Sequence, residues 1–70
     1  MNEVLFPLTG DMIELCKLLK ASGLCESGGV AKYAIRNSLV KVDGPVETRK
    51  GCKIRRGRRV EYNGQTIVVQ

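Results

Sequence analysis

The sequence predicts an α+β domain in which two short helices pack on a small antiparallel sheet. Apolar residues recur at spacings of three and four between Met12 and Arg36, with a break at Gly23. From Leu39 onward the period changes to two. Asp43-Gly44 and Asn63-Gly64, dipeptides that close tight hairpins, punctuate this second half. At 70 residues and 43% hydrophobic content, residues 1–70 read as one folded domain with a small core. Such a core implies marginal to moderate stability and leaves little room for a deep substrate pocket.

The elements follow in order. Val4-Leu5-Phe6, ended by Pro7, reads as an edge strand. Asp11 is placed to cap a helix, with Glu14 three residues on as its reciprocal partner. That helix runs from Met12 to Lys20. Met12, Leu15, Cys16 and Leu19 form its apolar face, Ile13 and Leu18 widen it, and Asp11, Glu14, Lys17 and Lys20 make the wet stripe opposite. Gly23 stops the helix, and Leu24 supplies the hydrophobic contact that accompanies such a stop. Ser27 caps a second helix from about Gly28 to Arg36, with Val30, Ala31, Ala34 and Ile35 toward the core. Asn37 or Ser38 ends it, and asparagine tolerates the left-handed conformation better than serine. Leu39-Val40-Lys41-Val42 is a strand, Asp43-Gly44 a turn, and Val46-Glu47-Thr48 a short return. Arg59-Val60-Glu61-Tyr62, the Asn63-Gly64 turn and Thr66-Ile67-Val68-Val69 close the sheet.

Charge is the feature that points to function. Of the 12 basic residues, seven fall within eleven positions with no acid among them: Arg49, Lys50, Lys53, Arg55, Arg56, Arg58 and Arg59. The net charge is +5. Such density repels itself unless an anion answers it, and nucleic-acid phosphate is the first candidate. A solubilising loop is the plainer alternative, but Cys52 and Ile54 inside the stretch argue that it is pinned to a fold. Ser27-Gly28-Gly29 leaves backbone N–H groups open at a helix start, which suits an anion. Lys32 and Arg36 follow Gly28 at i, i+4 spacing on one face. Lys41, pointing outward between Val40 and Val42, would extend the stripe onto the sheet. Each of these taken alone also fits an ordinary loop or a solvated side chain. Aromatic content is 4%, confined to Phe6, Tyr33 and Tyr62. A surface that grips unpaired bases needs more stacking platforms, so recognition of structured RNA through phosphate and shape fits better.

Other chemistries find little to stand on. There is no histidine, the acids are scattered singly, and no nucleophile–base constellation is visible, so neither an enzyme nor a cofactor is expected. Cys16, Cys25 and Cys52 form no C-x-x-C pair, and no metal site is expected. Cys16 and Cys52 read as small buried hydrophobes. Cys25 lies near Ser27 and the second helix start, where a thiolate would be stabilised. An odd cysteine count without a signal-peptide pattern points to reduced thiols and a cytoplasmic protein. The apolar run at the N-terminus is too short for a membrane span.

Met12 to Tyr62 resembles the αL RNA-binding domain first recognised in small-subunit ribosomal protein S-four. Leu15, Leu18 and Leu19 match its first-helix leucines; Ser27 opens its second helix; Ala31-Lys32 and Ile35-Arg36 match steps along it. Val40-Lys41-Val42-Asp43-Gly44 matches the family hairpin, and Lys53-Ile54-Arg55-Arg56-Gly57 with Val60-Glu61 matches the closing segment. Ser27 to Lys32 and Glu47 to Ile54 look like the small stand-alone bacterial members, the YbcJ/YaaA-like group. Gly28 stands where larger members carry an arginine, and Ser38 near where they carry a glycine. The resemblance implies an S-four-like αL fold and a monomer whose function is binding itself. The implied partner is structured RNA, ribosomal or transfer, with the ribosome as its setting. Its implied RNA face holds Ser27, Lys32, Arg36, Lys41, Arg49, Lys50, Lys53 and Arg55, with the amides of Gly28 and Gly29 in place of the missing arginine. Arg56, Arg58 and Arg59, around Gly57, rank second. A helix-turn-helix DNA-binding protein and a basic module docking an acidic protein are the alternatives. Against the first, the basic residues concentrate after the second helix, while a recognition helix reads bases from its N-terminal part, here Ser-Gly-Gly.

Overall fold

The computed structural model describes residues 2–70 and places eight elements along them. The strands are β1 (Asn2–Phe6), β2 (Ile13–Glu14), β3 (Val40–Val42), β4 (Lys53–Ile54), β5 (Arg59–Tyr62) and β6 (Gln65–Val69); the helices are α1 (Leu15–Ala21) and α2 (Gly28–Arg36). Four strands form a sheet in the order β1-β6-β5-β3, and β2 pairs with β4 in a separate ribbon. β3, β5 and β6 are antiparallel neighbours; Asn63-Gly64 closes the β5–β6 hairpin, while Asp43-Gly44 turns β3 back onto the segment that begins at Pro45. β1 is an edge strand, but it joins β6 in parallel, with Val4 opposite Ile67 and Phe6 opposite Val69. The predicted α+β class holds, and the sheet is mixed because the chain returns to its own N-terminal strand.

Both hairpin turns take positive φ at their two central residues: 53° and 110° at Asp43 and Gly44, 53° and 77° at Asn63 and Gly64. That geometry matches the right-handed twist of the flanking strands and explains why Asn or Asp precedes glycine in each. Asp43 is further held by its carboxylate, which accepts from the Arg59 backbone N–H at 3.0 Å and from the Arg58 guanidinium at 2.9 Å. The expected return strand at Val46 is reduced to a single bridge with Lys41.

The first helix departs from its expected start. Ile13 and Glu14 are extended and pair with Ile54 and Lys53, so α1 begins at Leu15 and not at Met12. Asp11 is not the cap, and Glu14 makes no side-chain cap bond. The backbone N–H groups of Leu15 and Cys16 instead donate to the carbonyls of Cys52, at 2.8 Å, and Lys50, at 3.1 Å. A distant loop satisfies the donors that a local cap would otherwise take. The C-terminal stop is as expected: Gly23 has φ +86°, and Cys25 N–H reaches the Leu19 carbonyl at 3.1 Å.

The second helix keeps its expected bounds. Ser27 Oγ accepts from Val30 N–H at 3.2 Å. At its end Asn37 is the cap residue, but Ser38 carries the positive φ of 63°. The Asn37 amide is engaged with the Tyr33 carbonyl at 2.7 Å, which keeps that residue in the turn. Val30, expected in the core, is 42% exposed, and Ala31, Ala34 and Ile35 alone bury the helix.

Leu15, Leu18, Leu19, Ile35, Val40, Ile54, Val60 and Ile67 are fully buried and form the centre of the core. Cys25 joins them, while Cys16 and Cys52, expected to be buried, sit half-exposed at its margin. Leu18→Ala should destabilise the domain by about 2–5 kcal/mol in urea unfolding, whereas Leu39→Ala, at a half-exposed site, should cost under about 0.5 kcal/mol. Similar losses at both would place the core elsewhere.

Candidate nucleic-acid interface

The candidate surface begins with α2. Small residues on its buried side let α1 lie close, and the half-buried Cys16 thiol reaches the Gly28 carbonyl at 3.7 Å. With Ala31, Ala34 and Ile35 inward, helical geometry turns Lys32 and Arg36 outward, one turn apart. Space beside Gly28 is open: a Cβ placed there would meet nothing within 4 Å.

The segment 47–52 forms the facing wall. Glu47 is anchored to β3 by its backbone N–H, which donates to the Val40 carbonyl at 3.0 Å. Its carboxylate accepts three hydrogen bonds from Arg49: the backbone N–H at 3.0 Å, Nε at 2.9 Å and a terminal guanidinium nitrogen at 3.2 Å. The Arg49 guanidinium and then its backbone N–H hold the Glu47 carboxyl down to about 2. Cys52 N–H turns back to the Arg49 carbonyl at 3.2 Å. The carbonyls of Lys50 and Cys52 then dock on the first amides of α1.

Two contiguous grooves result. One, of about 450 Å³, lies between α1 and α2 and is lined by Glu14, Cys16, Lys17, Lys20, Gly28, Lys32, Lys50 and Gly51. The other, of about 400 Å³, is lined by Lys32, Arg36, Thr48, Arg49, Lys50 and Gly51. Lys32, Lys50 and Gly51 border both. Lys20, Lys32, Arg36 and Lys50 have no ion-pair partner among the described residues, and Lys17 only approaches Glu14 at 3.9 Å.

The structure thus joins Gly28, Lys32, Arg36, Arg49 and Lys50 of the expected site. Ser27 serves as the α2 cap, and Gly29 is exposed in the first turn of that helix. Lys53 does not approach Lys32 and Arg36: β2–β4 pairing sets it opposite Glu14, and its ammonium binds that carboxylate at 3.2 Å. Lys53, followed by Lys17, lowers the Glu14 carboxyl below its ordinary value. Lys50, also among the expected residues, is the one that borders both grooves beside Lys32. Lys41 lines a different groove with Glu61 and the Asn63-Gly64 turn. Arg55 is exposed outside both grooves. Lys17 and Lys20 were legible only as a solvated stripe, because nothing local to α1 reveals that segment 47–52 lies beside them.

The basic stretch is also less naked than its sequence suggests. Acids from outside it answer much of its charge: Glu47 on Arg49, Glu14 on Lys53, Asp43 on Arg58 and Glu3 on Arg59. Arg56 donates to the Leu8 carbonyl at 2.8 Å. Arg56, Arg58 and Arg59 thereby tie the turn around Gly57 to the rest of the fold. Cys25 is not an activated thiolate: burial pushes its thiol up. No helix among the described residues is long and apolar enough to cross a membrane.

Comparison with known proteins gives a consistent picture. Residues 6–70 match the family model described as the S4 domain. The YbcJ proteins of Escherichia coli (strain K12) and Shigella flexneri are each 54% identical over 57 residues, covering 81% of this chain and 81% of theirs. A tyrosine–tRNA ligase of Ralstonia nicotianae is 42% identical over 50 residues, covering 71% of this chain but 13% of the ligase. Among solved structures, the solution structure of E. coli YbcJ, reported to reveal an αL motif involved in RNA binding, superposes with a TM-score of 0.75. It shares 48% identity and covers 99% of this chain and 89% of that one.

The Glu47–Arg49 clasp has a pH signature. Its folded-state carboxyl titrates at about 2, below the ordinary 4.5, so its stabilising contribution is complete above the ordinary value and is lost as pH falls through about 2. A carboxyl-carbon NMR titration should give Glu47 a midpoint near 2, and a midpoint near 4.5 would show that the clasp does not form.

Proposed function

The chain belongs to the S4-domain family, and on that premise we propose that it is a non-enzymatic protein that binds structured RNA through phosphate and shape contacts. The observation that carries this reading is the pair of joined grooves whose rims hold Lys17, Lys20, Lys32, Arg36 and Lys50. Of these, Lys20, Lys32, Arg36 and Lys50 have no acid partner among the described residues and are free to neutralise phosphate. Their spacing is fixed by two helices and a docked loop, so the surface favours an RNA backbone of matching shape. Of the three aromatic residues, Phe6 and Tyr62 pack against the core, which leaves Tyr33 as the one exposed ring. That distribution supports backbone recognition over a row of stacked bases.

Ribosomal or transfer RNA in the cytoplasm is the proposed target class, bound by a monomer. The αL motif of the related YbcJ structure, reported as involved in RNA binding, supports RNA as the class, and the tRNA ligase relative supports a tRNA-like shape. The proposed contacts are Lys32, Arg36, Arg49 and Lys50, with Lys17 and Lys20 added and with the open amides at Gly28 and Gly29. Lys41, Lys53 and Arg55 are proposed as outlying contacts. The helix-turn-helix alternative loses support because segment 48–51 runs beside the basic face of α2, where a recognition helix must be free to enter a groove.

Fluorescence anisotropy with a labelled RNA stem-loop, a DNA duplex of equal length and a polyglutamate peptide tests the class. With about four to six phosphates neutralised, log K against log salt should fall with a slope of roughly −3 to −5. A flat response, or tighter binding to the peptide, would overturn the reading.

A second comparison locates the surface. Lys32→Ala with Arg36→Ala leaves the helix intact, since alanine is the best helix former. That pair should weaken stem-loop binding at least about tenfold at low salt. Arg58→Ala with Arg59→Ala removes the same charge from residues already paired to Asp43 and Glu3, and should cost less. Equal losses would mean that the charge acts diffusely.

A further inference from the structure

Glu47 stands at the start of the segment that walls the proposed RNA face, and by simple electrostatics its negative charge opposes binding. Its geometry assigns it the reverse effect. We infer that Glu47 is a positioning residue for the basic face, so that this negative charge strengthens RNA binding. The inference rests on the RNA-binding reading above.

Glu47 is held at both ends. Its backbone N–H is fixed on Val40 of β3 at 3.0 Å, and its side chain is only 17% exposed. One carboxylate oxygen receives both the Arg49 backbone N–H and Nε; the other receives a terminal guanidinium nitrogen. A carboxylate bonding the N–H two residues on closes a tight local turn of the chain. From that turn the chain passes directly to Lys50 and Gly51, which border both grooves, and to the carbonyls that dock on Leu15 and Cys16.

Arg49 is correspondingly committed. Its side chain is 77% exposed, but its charge is answered by Glu47 at 2.9 Å. Lys50 is therefore the uncompensated cation of the segment, and the clasp decides where it stands relative to Lys32. Without the clasp, Lys50 would sample many positions, and RNA would have to order the segment on binding, which weakens affinity.

The test separates positioning from charge by sign. Kd for a fluorescein-labelled RNA stem-loop is measured at one fixed salt for the wild type, Glu47→Ala, Glu47→Gln and Glu26→Ala. Glu26 is exposed, adjoins the α2 cap and has no ion-pair partner among the described residues, so it reports the ordinary effect of deleting a nearby acid. Glu26→Ala should bind as tightly as the wild type or more tightly. Glu47→Ala should bind about fivefold more weakly or worse, as expected when a preorganised contact becomes mobile. Glu47→Gln drops the charge but keeps one carbonyl acceptor for the Arg49 N–H, and should fall closer to the wild type. In parallel, amide exchange at Leu15 and Cys16, read by NMR without RNA, should accelerate in Glu47→Ala while Leu18 and Val60 stay protected. Equal or tighter RNA binding by Glu47→Ala, or unchanged exchange at Leu15 and Cys16, would overturn the inference. Failure of the wild type to bind the stem-loop would instead overturn the functional reading, and the exchange measurement would still decide the position of the segment.

Discussion

Two backbone hydrogen bonds organise the basic face: Leu15 N–H to the Cys52 carbonyl and Cys16 N–H to the Lys50 carbonyl. They join residues far apart in sequence, and they solve two problems at once. The start of α1 lacks a side-chain cap, and segment 49–52 carries carbonyls that no strand accepts. Each supplies what the other lacks. The β2–β4 pair next to them, with Ile13 opposite Ile54, extends the same junction and buries Ile54 completely. Once that junction closes, the direction of α1, the place of Lys50 and the width of the gap to α2 are all determined together. A change that weakens the junction therefore acts on the proposed binding surface even when it touches no cation.

Charge is sorted by the same architecture. A run of cations in a short stretch is costly only if those cations remain unanswered. Here the chain brings acids from three distant places to it: Glu3 from β1, Glu14 from β2 and Asp43 from the β3 turn. Exposed pairs of this kind contribute little stability individually. Their larger consequence is subtraction. They answer the charges of Lys53, Arg58 and Arg59 and leave Lys32, Arg36 and Lys50 without an ion-pair partner among the described residues. A net charge of +5 spread evenly over a small sphere would attract any polyanion. Unpaired cations that share one concave face give a preferred orientation of approach.

Much of the fold was legible because its signals are local. The spacing of Leu15, Leu18 and Leu19, the Ser27 cap, the Gly23 stop and the two hairpin dipeptides each act within a few residues, and each is found where the sequence places it. What escaped is non-local. The parallel pairing of β1 with β6 depends on the whole chain having closed. The displaced start of α1 depends on Lys50 and Cys52, which no capping rule for residues 11–14 contains. Ser38 rather than Asn37 takes positive φ because the Asn37 amide is engaged with Tyr33. The candidate site divides along the same line. Lys32 and Arg36 were visible from helical periodicity, while the separation of Lys53 from Lys50, and the recruitment of Lys17 and Lys20, required tertiary contacts.

The distribution of side chains also limits how the proposed surface can discriminate. Phosphates are alike along any strand, so cations on grooves report spacing and curvature and carry no base sequence. Base reading by stacking would need exposed rings along the path, and the aromatic that is free, Tyr33, stands on α2 outside the lining of both grooves. Selectivity must then come from rigidity: a mobile lysine accommodates any backbone, whereas a lysine fixed against a neighbouring helix rejects backbones of the wrong pitch. Rigidity in so small a domain cannot come from core mass alone. It is concentrated where segment 47–52 meets α1, through backbone docking and the Glu47–Arg49 clasp. On this argument the specificity of the proposed interface resides less in the number of its positive charges than in the few hydrogen bonds that prevent them from moving.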